Sequence, residues 1–131
     1  MSFTRRAALV LGFGATLISS SMAFAAMNSA FTQASFEAAN KAGKPVLVEV
    51  TAPWCSTCKA QAPILGELSG QARFKDLQIF KVDFDSQKDV LKSLNVQMQS
   101  TLIVFKGGKE VGRSTGDTKK VSIDALLSKA L

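Results

Sequence analysis

The chain has 131 residues, 47% of them hydrophobic and 20% charged, enough apolar content for one packed domain and enough charge to keep it soluble. Nine glycines and three prolines fall short of a low-complexity signature, and no internal repeat is visible, which excludes collagen-like chains and repeat arrays. The net charge of +6 is spread thinly, so a nucleic-acid partner has little support.

The chain opens on Thr4-Arg5-Arg6 and an uncharged run that ends at Ala23-Phe24-Ala25, a small-x-small pattern that suits a leader peptidase. Residues 1–25 are read as an export signal cut before Ala26, leaving a domain over residues 26–131. The glycines and three consecutive serines in the run argue against an uncleaved membrane anchor, which about 20 apolar residues would otherwise allow. The arginine pair also resembles a twin-arginine signal. Cleavage lowers the net charge from +6 to +4, because the leader contributes only Arg5 and Arg6. Lys119-Lys120 is then the one adjacent basic pair, with no aromatic residues interleaved.

Beyond the leader, strands alternate with helices. Ser35 is the expected cap of a short helix over Phe36 to Ala42, stopped by Gly43. Pro45 to Val50 is continuously apolar apart from Glu49, as expected of a strand covered on both faces. Lys59 to about Gln71 reads as a helix kinked by Pro63. Leu77 to Asp83 is a second strand, followed by a helix from about Gln87 to Leu94 with Ser86 as cap and Asn95 at the stop. Thr101 to Lys106, Gly107-Gly108 and Glu110 to Thr115 form an antiparallel hairpin, since paired glycines suit a tight primed turn. Ile123 to Leu131 closes the chain as a helix, apolar at Ile123, Leu126, Leu127 and Ala130. The pattern is α/β, a mixed central sheet with helices on both faces. Phe31, Phe36, Phe74, Phe80, Phe84 and Phe105 are assigned to the core.

Both cysteines of the chain stand in Trp54-Cys55-Ser56-Thr57-Cys58-Lys59. This stretch follows a buried strand, Pro63 lies five positions past Cys58, Lys81-Val82-Asp83 sits in the next strand, and TLIVFKGGKEVGRSTG comes last. Together these pieces, in this order, resemble thioredoxin over roughly Phe31 to Leu131. The resemblance implies the thioredoxin fold and a thiol-disulfide oxidoreductase without a cofactor.

The chemistry suits the spacing. A CxxC at a helix start puts the first sulfur where backbone N–H groups and the helix dipole favour a thiolate, with the second sulfur one turn inward. Cys55 is then the nucleophile and Cys58 the resolving thiol, and a disulfide passes to or from a partner by two displacements. A purely structural bridge is the bland alternative in an exported chain with two cysteines, but one enclosing two residues constrains little of the unfolded chain. The resemblance also implies that Glu49 is a buried acid exchanging protons with Cys58, its pKa raised by burial, with Lys81 nearby to moderate the shift. It places Trp54, partly exposed, beside the active site.

Two departures stand out. Ser56-Thr57 replaces the Gly-Pro of thioredoxins, and hydroxyls that donate to a thiolate would make the pair more oxidising. The chain has no histidine, which argues against a strong oxidase. Ser100 occupies the place of the family's cis proline, and because a cis bond before a non-proline costs about 3–4 kcal/mol, the Gln99-Ser100 peptide is expected to be trans. In the family the residue before that proline pairs by backbone with the substrate, which makes Gln99 a contact beside Ser100.

The expected function is an exported thiol-disulfide oxidoreductase of a bacterial envelope, a monomer more suited to reduction than to oxidation. Its partners would be protein thiols and disulfides, with a membrane-bound thiol reductase as electron donor. Two other classes stay open. A dimer sharing Cys55 and Cys58 would supply the four soft ligands of a zinc or iron-sulfur site, and a silent binding module would hold a client near Trp54 and Gln99 without turnover.

Overall fold

The computed structural model describes residues 26–131; the leader and its cleavage point fall outside the described residues. Five strands form one mixed sheet in the order β1-β3-β2-β4-β5. They are β1 (Met27–Ala30), β2 (Val46–Thr51), β3 (Gln78–Asp83), β4 (Thr101–Lys106) and β5 (Lys109–Thr115). The first three run parallel, β4 runs antiparallel to β2, and β5 pairs antiparallel with β4. Four helices, α1 (Gln33–Lys41), α2 (Ser56–Ser69), α3 (Lys88–Ser93) and α4 (Lys120–Ser128), cover the sheet.

The central strand shows why both faces are dry. Val46, Val48 and Val50 point into one core with Phe36, Phe80 and Ile103. Leu47 points into the other with Leu65, Leu68, Leu102 and Leu127. Alternation along β2 thus feeds two apolar layers, and each fully buried aliphatic side chain there contributes about 1.5–3 kcal/mol. Glu49 shares the Leu47 side of the strand, the side on which α2 packs, and is buried there.

Several boundaries differ from those expected. The cap of α1 is Thr32, whose Oγ1 accepts from the Ser35 backbone N–H at 3.2 Å, so the helix begins at Gln33. Strand β1 carries no apolar alternation and is exposed along its length; backbone pairing with β3 holds it. Helix α2 starts at Ser56, three residues earlier than predicted, and continues across Pro63. The ring faces solvent there, where water can satisfy the carbonyl left without its usual donor. Ser86 does not cap α3, whose cap residue is Gln87. The Gln87 side chain instead accepts from Asp83 N–H at 2.9 Å and donates to Phe31 O at 3.1 Å.

The hairpin turn at Gly107-Gly108 has both residues at positive φ, 58° and 79°, as a primed two-residue turn requires. Helix α4 begins at Lys120 and buries Ile123, Leu126 and Leu127.

Candidate active site

Cys55 is the cap residue of α2. Its φ of −82° and ψ of 107° are extended, and its Sγ accepts the Cys58 backbone N–H at 3.1 Å. Sulfur here takes the place that a Ser or Asp oxygen holds in an ordinary cap. The two cysteines are bonded to each other, with Cα atoms 5.3 Å apart, and both are buried. Ser56 and Thr57 form the first turn between them, Ser56 exposed and Thr57 half-buried. The N-terminal end of α2 therefore aims its unpaired N–H groups and partial positive charge at Cys55.

Trp54 stands over this turn, 58% exposed, yet it is not loose. Its indole Nε1 donates to Asp85 Oδ2 at 2.9 Å, and its ring meets Phe84 edge-on with centroids 6.2 Å apart. Phe84 is packed against the main apolar core, as expected, and against the cysteines as well. It follows the last residue of β3, donates its N–H to Thr51 O, and packs half-buried against Ala52, Cys55 and Cys58. Asp85 escaped notice in the sequence; the signal was Asp83-Phe84-Asp85 after a strand, an Asx turn in which Asp83 Oδ1 accepts from Asp85 and Ser86 N–H.

Glu49 lies inside the protein at 6% exposure. Burial pushes its carboxyl pKa above the ordinary value, and the ammonium of Lys81 draws it part of the way back. Lys81 is its register partner on β3 and is itself exposed. A groove of about 320 Å³ is lined by Glu49, Cys58, Lys59, Lys81 and Asp83, so the acid and the inner cysteine face a shared wet space. A proton can pass there by way of water.

The loop before β4 completes the site. No described peptide bond is cis, and Ser100 adopts a φ of 56°, a left-handed conformation that costs a non-glycine residue about 1–2 kcal/mol. Backbone bonds hold it there. Ser100 N–H donates to Val50 O at 2.8 Å, and Ser100 O accepts from Gly116 N–H at 3.0 Å. The Ser100 hydroxyl donates to Gln99 O at 2.6 Å, which leaves that carbonyl one further lone pair. Gln99 is half-buried, while Met98 beside it is 54% exposed.

Gln61 reaches the same loop from α2 and is 1% exposed. It was missed in the sequence, although Cys58, Gln61, Leu65 and Leu68 make a stripe of buried positions on one helix face in which a glutamine is out of place. Among the described residues no group of three or more His, Cys, Asp or Glu is arranged to hold a metal.

The profile of the thioredoxin family matches residues 27–129. The chain belongs to the thioredoxin family. Thioredoxin of Alicyclobacillus acidocaldarius subsp. acidocaldarius is 33% identical over 100 residues, covering 76% of this chain and 94% of that relative. Thioredoxin of Mycobacterium bovis is 39% identical over 85 residues, covering 65% of this chain and 72% of its own. Among solved structures, Trxlp from Edwardsiella tarda EIB202 superposes with a TM-score of 0.74 at 42% identity, over 76% of this chain and 96% of that one. Fold, family and the Cys55–Cys58 disulfide agree: this thioredoxin is a thiol-disulfide oxidoreductase.

Proposed function

We propose that this thioredoxin works outside the cytosol as a reductant of protein disulfides, with Cys55 as nucleophile and Cys58 as resolving thiol. The observation that carries the reading is the groove lined by both Glu49 and Cys58, one helical turn from a sulfur that accepts a backbone N–H. In the reduced protein the Cys55 thiolate attacks a client disulfide, forming a mixed disulfide and expelling one client thiolate. Glu49 takes the proton of Cys58, whose thiolate then attacks Cys55 Sγ and expels the second client sulfur, which is protonated in turn. Two electrons and the Cys58 proton pass to the client, whose first expelled thiolate takes its proton from solvent, and the protein keeps the disulfide.

Regeneration needs a dithiol donor of lower potential, and a membrane-bound thiol reductase fits a protein exported by the leader at residues 1–25. Trp54, Gln99 and Ser100 frame the client's approach, and Ser56 and Thr57 set the potential through the first turn of α2. Lys81 tunes Glu49. The mature protein starts at Ala26 and acts as a monomer.

An equilibrium titration of the mature chain in glutathione buffers, counting alkylated thiols by mass, tests the reading. A two-electron midpoint near about −270 mV marks a reductant, and one approaching about −120 mV an oxidant. Failure of Cys55 and Cys58 to titrate as a pair would sink it. The mass of the protein recovered from an intact producing cell tests cleavage before Ala26.

A further inference from the structure

Beside the cysteines runs a trough that the reaction does not use. Its first half, about 380 Å³, is lined by Phe84, Lys88, Leu91, Lys92, Val96 and Gln97. A second hollow of about 250 Å³ shares Val96 and Gln97 and continues past Met98 to Thr101. Phe84 lines the trough and also packs on Cys55 and Cys58, while Met98 lines the second hollow. A client chain that reacts at Cys55 and extends past Phe84 therefore meets this trough.

The chemistry of the walls is one-sided. Lys88 and Lys92 are four apart on α3, hence on one face of the helix, and the apolar side chains of Leu91 and Val96 lie between and below them. Lys88 Nζ stands 4.4 Å from the centre of the Phe84 ring. No carboxylate lines the first half. The nearby acids are otherwise engaged or turned away: Asp85 holds Trp54, Asp83 holds its own turn, Glu110 is paired with Arg113, and Asp89 lies outside the lining.

We infer that this trough selects client segments carrying acidic residues next to the reacting cysteine, read by Lys88 and Lys92 over an apolar floor. The inference rests on the disulfide-reducing reading and adds the substrate class to it. The occupant is a protein client in extended form, because the trough is open and elongated and leads away from the cysteines. Exposed ion pairs are individually weak, so two lysines give a preference of roughly 2–30-fold, expressed mainly in association.

The test uses two otherwise identical short peptides, one with two aspartates and the other with two lysines beside its cysteine, each as the mixed disulfide with nitrothiobenzoate. The pre-reduced protein attacks through Cys55, releases the coloured thiolate, and then frees the peptide thiol as Cys58 closes the disulfide. The second-order rate constant should favour the aspartate peptide by about fivefold at low salt. The preference should shrink at 1 M salt, where screening acts within about 3 Å, and should invert in Lys88→Glu/Lys92→Glu. Lys92→Glu alone, which leaves the Lys88 contact with Phe84 in place, should abolish it. Equal rates for the two peptides, or a preference untouched by either variant, would overturn the inference while leaving the redox reading intact. If the wild-type protein reduces neither peptide nor free dithiobisnitrobenzoate, the redox reading itself falls.

Discussion

The side-chain amide of Gln61 donates from Nε2 to two carbonyl oxygens that lie far apart in the chain, Ser100 O at 3.2 Å and Asp117 O at 2.8 Å. It fastens α2, which carries the cysteines, to the loop that presents Gln99 and to the segment after β5. In a thioredoxin with proline at position 100, the ring would limit that loop; here a buried amide and backbone bonds to Val50 and Gly116 do it. Gln61→Leu keeps the volume and removes the donors, leaving Asp117 O without this partner. Thermal unfolding should show a loss of about 2 kcal/mol, or roughly 10 °C in Tm for a domain of this size. The KM for a protein disulfide should rise more than kcat falls, because the loop, not the sulfur, is displaced. An unchanged KM would show that the clamp serves stability alone.

The thioredoxin architecture was legible wherever apolar pattern and turn chemistry agreed. The continuous run of β2, the glycine pair of the hairpin and the stripe of Ile123, Leu126 and Leu127 all produced the elements expected. What was illegible depends on backbone pairing or on polar contacts across the fold. Strand β1 is Met-Asn-Ser-Ala, exposed throughout, and nothing in it alternates. The choice between Thr32 and Ser35 as cap turns on one hydroxyl, since both stand before the apolar face. Phe84 packs on the core as its composition suggests, but its second contact, with Cys55 and Cys58, comes from the turn after Asp83 and has no sequence signal. Lys88 and Lys92 carry no sequence signal of their own, and only the packing of α3 beside Phe84 brings them near the site.

Burial of Glu49 couples stability to pH. Its carboxyl pKa is raised by burial, so between the ordinary glutamate value of about 4.3 and its folded value the native protein binds more protons than the unfolded chain. Stability therefore falls as pH rises through that interval, and the deficit persists above it. Glu49→Gln removes the deficit. The variant should unfold at a higher temperature than the parent at pH 8 and at nearly the same temperature near pH 4. Its resolving step should slow on the order of 10²-fold at neutral pH and recover as the solvent alone ionises Cys58. Quenched-flow trapping of the mixed disulfide across pH checks both parts, and a flat ratio of the two rates would remove Glu49 from the mechanism.

Lys81 opposes the burial of Glu49 through charge alone. Lys81→Met leaves desolvation unchecked, so the carboxyl pKa should move further upward. The acid limb of the pH–rate profile should shift to higher pH in the same direction, with no change in the limb set by Cys55. A limb that stays in place would mean that another group governs it.

Asp85 is the anchor of Trp54, and both are at the surface. Removing it as Asp85→Ala should therefore cost little stability, within about 0.5 kcal/mol. The indole, though, loses its one fixed orientation. Fluorescence anisotropy of this single tryptophan should drop, and KM for a protein client should rise severalfold as the ring must be ordered on binding. Equal anisotropy in variant and parent would show that Phe84 alone holds the ring.

In the disulfide form the Cys58 N–H donates to Cys55 Sγ at the start of α2, a donor and a helix end that would also stabilise a Cys55 thiolate in the reduced protein. Neither depends on the Cys58 side chain. In the reduced protein, Cys58→Ala should therefore leave the alkylation pKa of Cys55 well below the free-thiol value of about 8.5. Cys55→Ala should leave Cys58, buried one turn inside the helix, slow to alkylate and titrating at or above that value. Rates of iodoacetamide modification against pH, read by mass, separate the two thiols. If Cys58→Ala raised the Cys55 pKa to the free value, the stabilisation would come from sulfur-to-sulfur hydrogen bonding, and the capping N–H would be a feature of the disulfide form only.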